Sequence, residues 1–192
     1  RESKDLLDRM DIGKQVQVVS DPAFFMDLPQ TPPERHDRYM ILSVRPWKNV
    51  PGELYKNLAQ YVDWLYRERG IKALLLPFQE KPDNDFRELN KIFEQVGDGK
   101  AAEILKWDSG LERILGLFKG AEFVVGMRLH SLIFACLTGT PPIGLVYSPK
   151  VANFLRSLGL SENGLEMNDI NLINLQKLTL EMLSNNSRYK TA

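Results

Sequence analysis

The sequence predicts an α/β domain built on a parallel sheet with helices on both faces. Three observations predict it. Short apolar runs alternate with amphipathic stretches of helix length along almost the whole chain, the pattern of repeated strand–helix–strand units. The runs 71–76 (IKALLL) and 123–126 (FVVG) are apolar with little alternation, as strands buried on both faces are. Glycines at 70, 97, 120, 139 and 159 punctuate the ends of the helix-length stretches. The arrangement is a Rossmann-like, doubly wound parallel sheet. A length of 192 residues suffices for one domain with a sizeable core. The expected organisation is one Rossmann-like domain over 1–192, with a helix and lead-in at 1–14, a surface loop at 28–38 and a polar tail at 185–192. The chain opens inside an element, as a piece cut from a longer protein does.

In order, Ser3–Met10 reads as the end of a helix and Val16–Val19 as a short β-branched strand. The stretch 28–38 (LPQTPPERHDR) is polar and Pro-rich, hence a loop, and His36 within it is a solvated histidine. Tyr39–Val44 is a strand ending in Arg45-Pro46-Trp47. Pro51 opens a helix to Arg69 with Leu54, Leu58, Val62 and Leu65 on one stripe. The strand 71–76 and the loop 77–84 follow. Asp85 and Glu88 form a capping box for a helix bearing Phe86, Leu89, Phe93 and Val96. Ala102–Leu105 is a weak strand. Ser109 and Glu112 cap a helix with Leu111, Ile114, Leu115 and Phe118 inward. After the strand Phe123–Gly126, a helix from about Arg128 to Thr138 is apolar nearly all round, so it is buried. Its strongly polar side chains, Arg128, His130 and Ser131, sit in its first turn. Pro141 and Pro142 prevent its continuation, and Ile143–Tyr147 is the next strand. Val151, Phe154, Leu155 and Leu158 mark a short helix, and Ile170–Leu183 a last amphipathic one.

Composition narrows the function. Lys plus Arg equals Asp plus Glu at 25 each, so no global field points to nucleic acid. No apolar run approaches the roughly 20 residues of a membrane span. The start Arg1-Glu2-Ser3-Lys4-Asp5 is too polar for a signal peptide. Cys136 is the single cysteine, set among apolar neighbours, and with only two histidines a structural zinc site is excluded. A reducing, cytoplasmic setting fits this usage. Neither G-x-G-x-x-G after a strand nor a G-K-[ST] loop is present.

In open α/β sheets ligands bind beyond the carboxyl ends of the strands. The residues expected there are Arg45, Gln79, Arg128, His130, Ser131, Tyr147, Ser148 and Lys150. No Asp or Glu lies within three residues of Arg45, or within four of Arg128 or Lys150. Such a site suits a compact anion, phosphate or carboxylate, with backbone N–H groups at a helix start adding to it. Arg128 stands at the electropositive end of its helix, so it needs an anion, either a carboxylate of the protein or a ligand. His130 is a candidate proton donor near neutral pH, as imidazole side chains are. Plainer roles stand beside these: Arg128 paired with a distant carboxylate, His130 packed in the core, Lys150 an ordinary surface lysine, Arg45 stacked on Trp47.

The stretch Val125-Gly126-Met127-Arg128-Leu129-His130-Ser131-Leu132-Ile133-Phe134-Ala135, then Gly139-Thr140-Pro141 and Tyr147-Ser148-Pro149-Lys150-Val151, resembles the polysaccharide pyruvyl transferase family of the CsaB type. Ser20-Asp21-Pro22-Ala23-Phe24, Leu42-Ser43-Val44-Arg45-Pro46-Trp47, and Leu76-Pro77-Phe78-Gln79 with Asp83 or Asp85 downstream match as well. The resemblance spans about Ser3 to Leu160. It implies the C-terminal half of a GT-B-like fold of two Rossmann-like domains, working with an N-terminal domain that holds much of the acceptor site. The implied reaction moves pyruvate from phosphoenolpyruvate (PEP) onto a sugar of a cell-wall or exopolysaccharide precursor as a ketal. The usual acceptor of this branch is N-acetylmannosamine on a lipid-linked precursor. The implied roles are His130 as acid and Arg128 and Lys150 as the clamp on PEP, with Arg45, Ser131, Tyr147 and Gln79 lining the pocket. No metal or cofactor beyond the donor is implied. The setting is cytoplasmic, with membrane association only through the acceptor. Two rival readings are a nucleotide-sugar-binding half of a GT-B glycosyltransferase or epimerase, and a non-catalytic Rossmann-like interaction module.

Overall fold

The computed structural model describes residues 2–10, 17, 19, 21–28, 35–79, 84–106 and 110–184. Among them are six strands: β1 (Tyr39–Ser43), β2 (Lys72–Leu75), β3 (Ala102–Ile104), β4 (Val124–Gly126), β5 (Pro142–Val146) and β6 (Gly164–Glu166). The α-helices are α1 (Glu2–Arg9), α2 (Leu54–Arg69), α3 (Asp85–Phe93), α4 (Gly110–Gly120), α5 (Leu129–Leu137), α6 (Pro149–Ser157) and α7 (Leu172–Ser184). The strands make one sheet in the order β3-β2-β1-β4-β5-β6, and every neighbouring pair is parallel. The chain therefore starts at the centre, winds outward through β2 to β3, returns to β4, and winds the other way. The reversal falls between β1 and β4, and that is where such sheets open a crevice.

Crossover handedness decides which helix covers which face. α2 packs on α3 and α7, while α5 packs on α4 and α6. Side-chain alternation along the strands feeds two cores. Met40, Leu42, Ala73 and Leu75 meet Leu58, Leu65, Leu89 and Leu175 on one face. Tyr39, Ile41, Leu74 and Val124 meet Ile114, Phe118 and Ile133 on the other. Each β1 residue is buried, as a central strand between two helical layers must be. Gly70 closes α2 in the left-handed region at φ 63°, its N–H reaching the Leu65 and Tyr66 carbonyls, a conformation glycine adopts without a Cβ clash.

The predicted strands and helices shift by one to three residues at their ends, with four differences of substance. Gly164–Glu166 is a strand that hydrophobic patterning does not reveal. It is short and half polar, and it exists because β5 offers a paired edge, Leu145 opposite Leu165. α4 presents a rotated stripe: Leu111 is exposed, and Leu117 is buried in its place. Phe86 and Phe93 on α3 also face outward, exposed by 45% and 36%. The capping box at Asp85 and Glu88 is absent. Asn84 caps α3 instead, its side chain accepting from the Arg87 N–H at 3.0 Å. Glu88 accepts from Tyr55 and Lys91. The expected strand at 16–19, the Ser109 cap, most of the loop at 28–38 and the tail at 185–192 lie wholly or largely outside the described residues.

Candidate active site

Arg128 occupies the N-cap position of α5, directly after β4. Its guanidinium reaches across the end of β1 and grips Asp85 at the start of α3. Nε donates to Oδ2 at 2.9 Å and Nη2 to Oδ1 at 2.5 Å. The Asp85 side chain is fully buried and that of Arg128 is 13% exposed. Asp85 also accepts the backbone N–H groups of Phe78 (3.0 Å) and Gln79 (3.1 Å). A bidentate, charge-assisted pair with two further donors is the arrangement that lets a carboxylate stay buried. So the anion that Arg128 needed is a carboxylate of the protein. Gln79 joins this clamp through its backbone, its carbonyl accepting from the Asp85 N–H at 3.0 Å. The clamp ties the exits of β2 and β4 together over β1.

Ser131 does not face the crevice. It is fully buried, and its hydroxyl donates to the Arg128 carbonyl at 2.6 Å. Gly126 makes room for it: a Cβ at that position would lie 2.2 Å from Ser131 Oγ and 2.9 Å from a Leu132 methyl. Ser131 therefore belongs to the packing of the turn between β4 and α5.

His130 is exposed in the first turn of α5, its ring centroid 6.3 Å from that of Phe134. It is not a core histidine. Lys150 is exposed in the first turn of α6. These two helices follow adjacent strands and pack against each other through Leu132, Val151 and Leu155. Neither carries an acidic residue in its first turn, and neither N-cap side chain, Arg128 or Ser148, bonds its helix. Ser148 Oγ is buried with no hydrogen-bond partner. Two bare helix N-termini thus stand side by side, each electropositive and each bearing a basic side chain.

The third group joins the exits of β1 and β5 across β4. Arg45 Nη1 lies 3.3 Å from the Tyr147 hydroxyl, and its Cζ sits 5.4 Å from the Tyr147 ring centroid. Trp47 packs edge-on against the same ring, centroids 4.8 Å apart at 72°. Arg45 therefore stacks on Tyr147, and Trp47 takes the other contact. The sequence places these residues at one edge but does not reveal that Tyr147 joins them. Among the described residues no cluster of three or more His, Cys, Asp or Glu side chains is placed to hold a metal ion.

The fold has well-matched counterparts. A UDP-GlcNAc 2-epimerase from Methanocaldococcus jannaschii superimposes with a TM-score of 0.58 at 20% identity, over 79% of this chain and 40% of that one. The Neisseria meningitidis UDP-GlcNAc 2-epimerase bound to UDP-GlcNAc gives 0.60 at 10% identity, over 80% and 38%. A TarM variant from S. aureus gives 0.55 at 14% identity, over 97% and 36%. The chain thus spans about two fifths of the length of these structures, and the likeness establishes a GT-B-like fold alone. No curated protein matches the sequence. The family model for polysaccharide pyruvyl transferase matches residues 1–149, from α1 through the first residue of α6. The chain belongs to the polysaccharide pyruvyl transferase family.

Proposed function

We propose that this chain binds the donor in the transfer of pyruvate from PEP to a sugar of a cell-wall or exopolysaccharide precursor. The observation that carries the reading is the pair of uncapped helix N-termini of α5 and α6, free of acidic side chains in their first turns and bearing His130 and Lys150. PEP has two anionic groups, a phosphate and a carboxylate, and two adjacent helix starts offer a seat for each. Lys150 adds a point charge for one of them. Arg128 serves the site by holding the start of α5 against Asp85.

The chemistry follows from the donor. His130 as imidazolium gives its proton to the PEP methylene carbon, which becomes a methyl group and leaves C2 electron-poor. A sugar hydroxyl adds to C2 and loses its proton to the imidazole. The C2–O bond to phosphate then breaks, with the electron pair leaving on phosphate. A second hydroxyl of the same sugar closes the ketal and gives its proton to solvent or to the departing phosphate. Exposure of His130 beside a helix N-terminus leaves it open to such a substrate.

A transfer assay with PEP and a sugar acceptor tests this. His130→Ala is expected to lose about 10²-fold or more in turnover while PEP binding is largely kept. Wild-type turnover in that variant would remove histidine from the acid role.

A further inference from the structure

We infer that Trp47, braced by Tyr147 and Arg45, is a stacking wall for a pyranose ring of the acceptor. The inference rests on the pyruvyl-transfer reading and gives Arg45 and Tyr147, expected to line the donor pocket, the role of bracing an acceptor wall at the same edge.

Three observations carry it. First, Trp47 is a large aromatic side chain left 39% exposed at the carboxyl edge of the sheet, in the connection between β1 and α2. Phe25 and Phe86 are exposed as well, so it is the bracing of Trp47 at this edge, and not its exposure alone, that sets it apart. Second, the exposed indole is rigidly placed. Pro46 precedes it, Tyr147 meets it edge-on at 4.8 Å, and Arg45 holds Tyr147 by a hydrogen bond and by lying over its ring. An exposed side chain held from two loops is ordered before anything binds, which lowers the entropic cost of binding. Third, its position suits an acceptor. The assembly bridges the exits of β1 and β5 across β4, and β4 leads directly into the turn that carries His130. A ring resting there lies at the same sheet edge as the two helix starts.

The chemistry of the occupant is set by the wall. A pyranose turns a face of polarised C–H bonds outward, and an indole turns an electron-rich face that attracts them. A phosphate or carboxylate gains nothing from that face. Lys48, exposed next in sequence, offers donors to sugar hydroxyls at the rim. The family's sugar-polymer chemistry supplies an occupant of this class.

The test uses Trp47→Ala and Trp47→Phe, each checked by circular dichroism and thermal melting for a wild-type fold. Binding of a water-soluble oligosaccharide with a terminal N-acetylmannosamine is measured by saturation-transfer NMR without PEP, and turnover is measured separately with PEP. Trp47→Ala is expected to weaken oligosaccharide binding and raise the acceptor KM by about tenfold, equivalent to about 1.4 kcal/mol. The KM for PEP stays unchanged, and Trp47→Phe recovers most of the loss. Equal oligosaccharide binding by wild type and Trp47→Ala would overturn the wall while leaving pyruvyl transfer standing. A raised KM for PEP, with the acceptor KM unmoved, would overturn it by placing the indole in the donor seat. A two-domain protein containing this chain that binds the oligosaccharide through Trp47 yet transfers no pyruvate would sink the reaction and not the wall. No oligosaccharide binding by wild type, neither by this chain nor by a two-domain protein that contains it, would overturn the wall outright.

Discussion

At the scale of single residues, charge complementarity decides what each basic group is for. Arg128 was legible as a cation in need of an anion, because it stands at a positive helix end. Its partner was not legible, because Asp85 lies 43 residues away and its spacing to Glu88 imitates a capping box. The structure spends Asp85 on Arg128 and on two backbone N–H groups, and leaves the cap to Asn84. Removing either partner strands a buried charge. Asp85→Ala is expected to destabilise the fold by about 3–5 kcal/mol in urea unfolding. Arg128→Ala is expected to cost somewhat less, because Asp85 keeps its two backbone donors. Near-neutral effects in both would mean that the clamp contributes nothing to stability. Cys136 gives the opposite lesson: burial pushes its thiol up to about 11, so it is packing rather than a nucleophile, as its apolar neighbours in sequence suggested.

At the scale of elements, α5 and α6 were readable because each declares itself: a strand, a turn, an apolar stretch, then a glycine. β6 was not, since three residues without an apolar pattern become a strand only when a neighbour offers its edge. α4 buries Leu117 in place of the expected Leu111 for a similar reason. A helix with Leu111, Ile114, Leu115, Leu117 and Phe118 has more apolar residues than one face can bury, and packing against α5 chooses among them. The turn between β4 and α5 is the tightest junction of the site. Gly126 is buried at the end of β4, where a methyl group would collide with Ser131 Oγ and Leu132. Gly126→Ala is expected to cost about 1–3 kcal/mol of stability and to displace the first turn of α5. Thermal unfolding measures the first effect, and the His130 ring resonances measure the second. An unchanged midpoint with unchanged His130 signals would show that the junction is looser than the contacts imply.

At the scale of the whole molecule, the alternation of elements determines the architecture, and the architecture gathers the site. Winding outward from β1 and returning to β4 brings Arg45, Arg128 and His130 to one crevice, although they lie far apart in sequence. The edge on which these residues stand is legible in the sequence, since helix starts follow strand ends. How the edge divides is not legible there. Ser131 turns inward, Arg128 is held by Asp85, and Arg45 joins Tyr147 and Trp47. His130 and Lys150 remain as the basic side chains at the two bare helix starts. On the reading proposed above, these starts form a seat for PEP. Calorimetric titration of this chain with PEP, UDP and inorganic phosphate tests it most directly, with Lys150→Ala as the control because that side chain is exposed and its loss leaves the fold intact. The expected result is binding that is selective for PEP and weakened in Lys150→Ala. Preference for UDP, or PEP binding indifferent to Lys150, would contradict it.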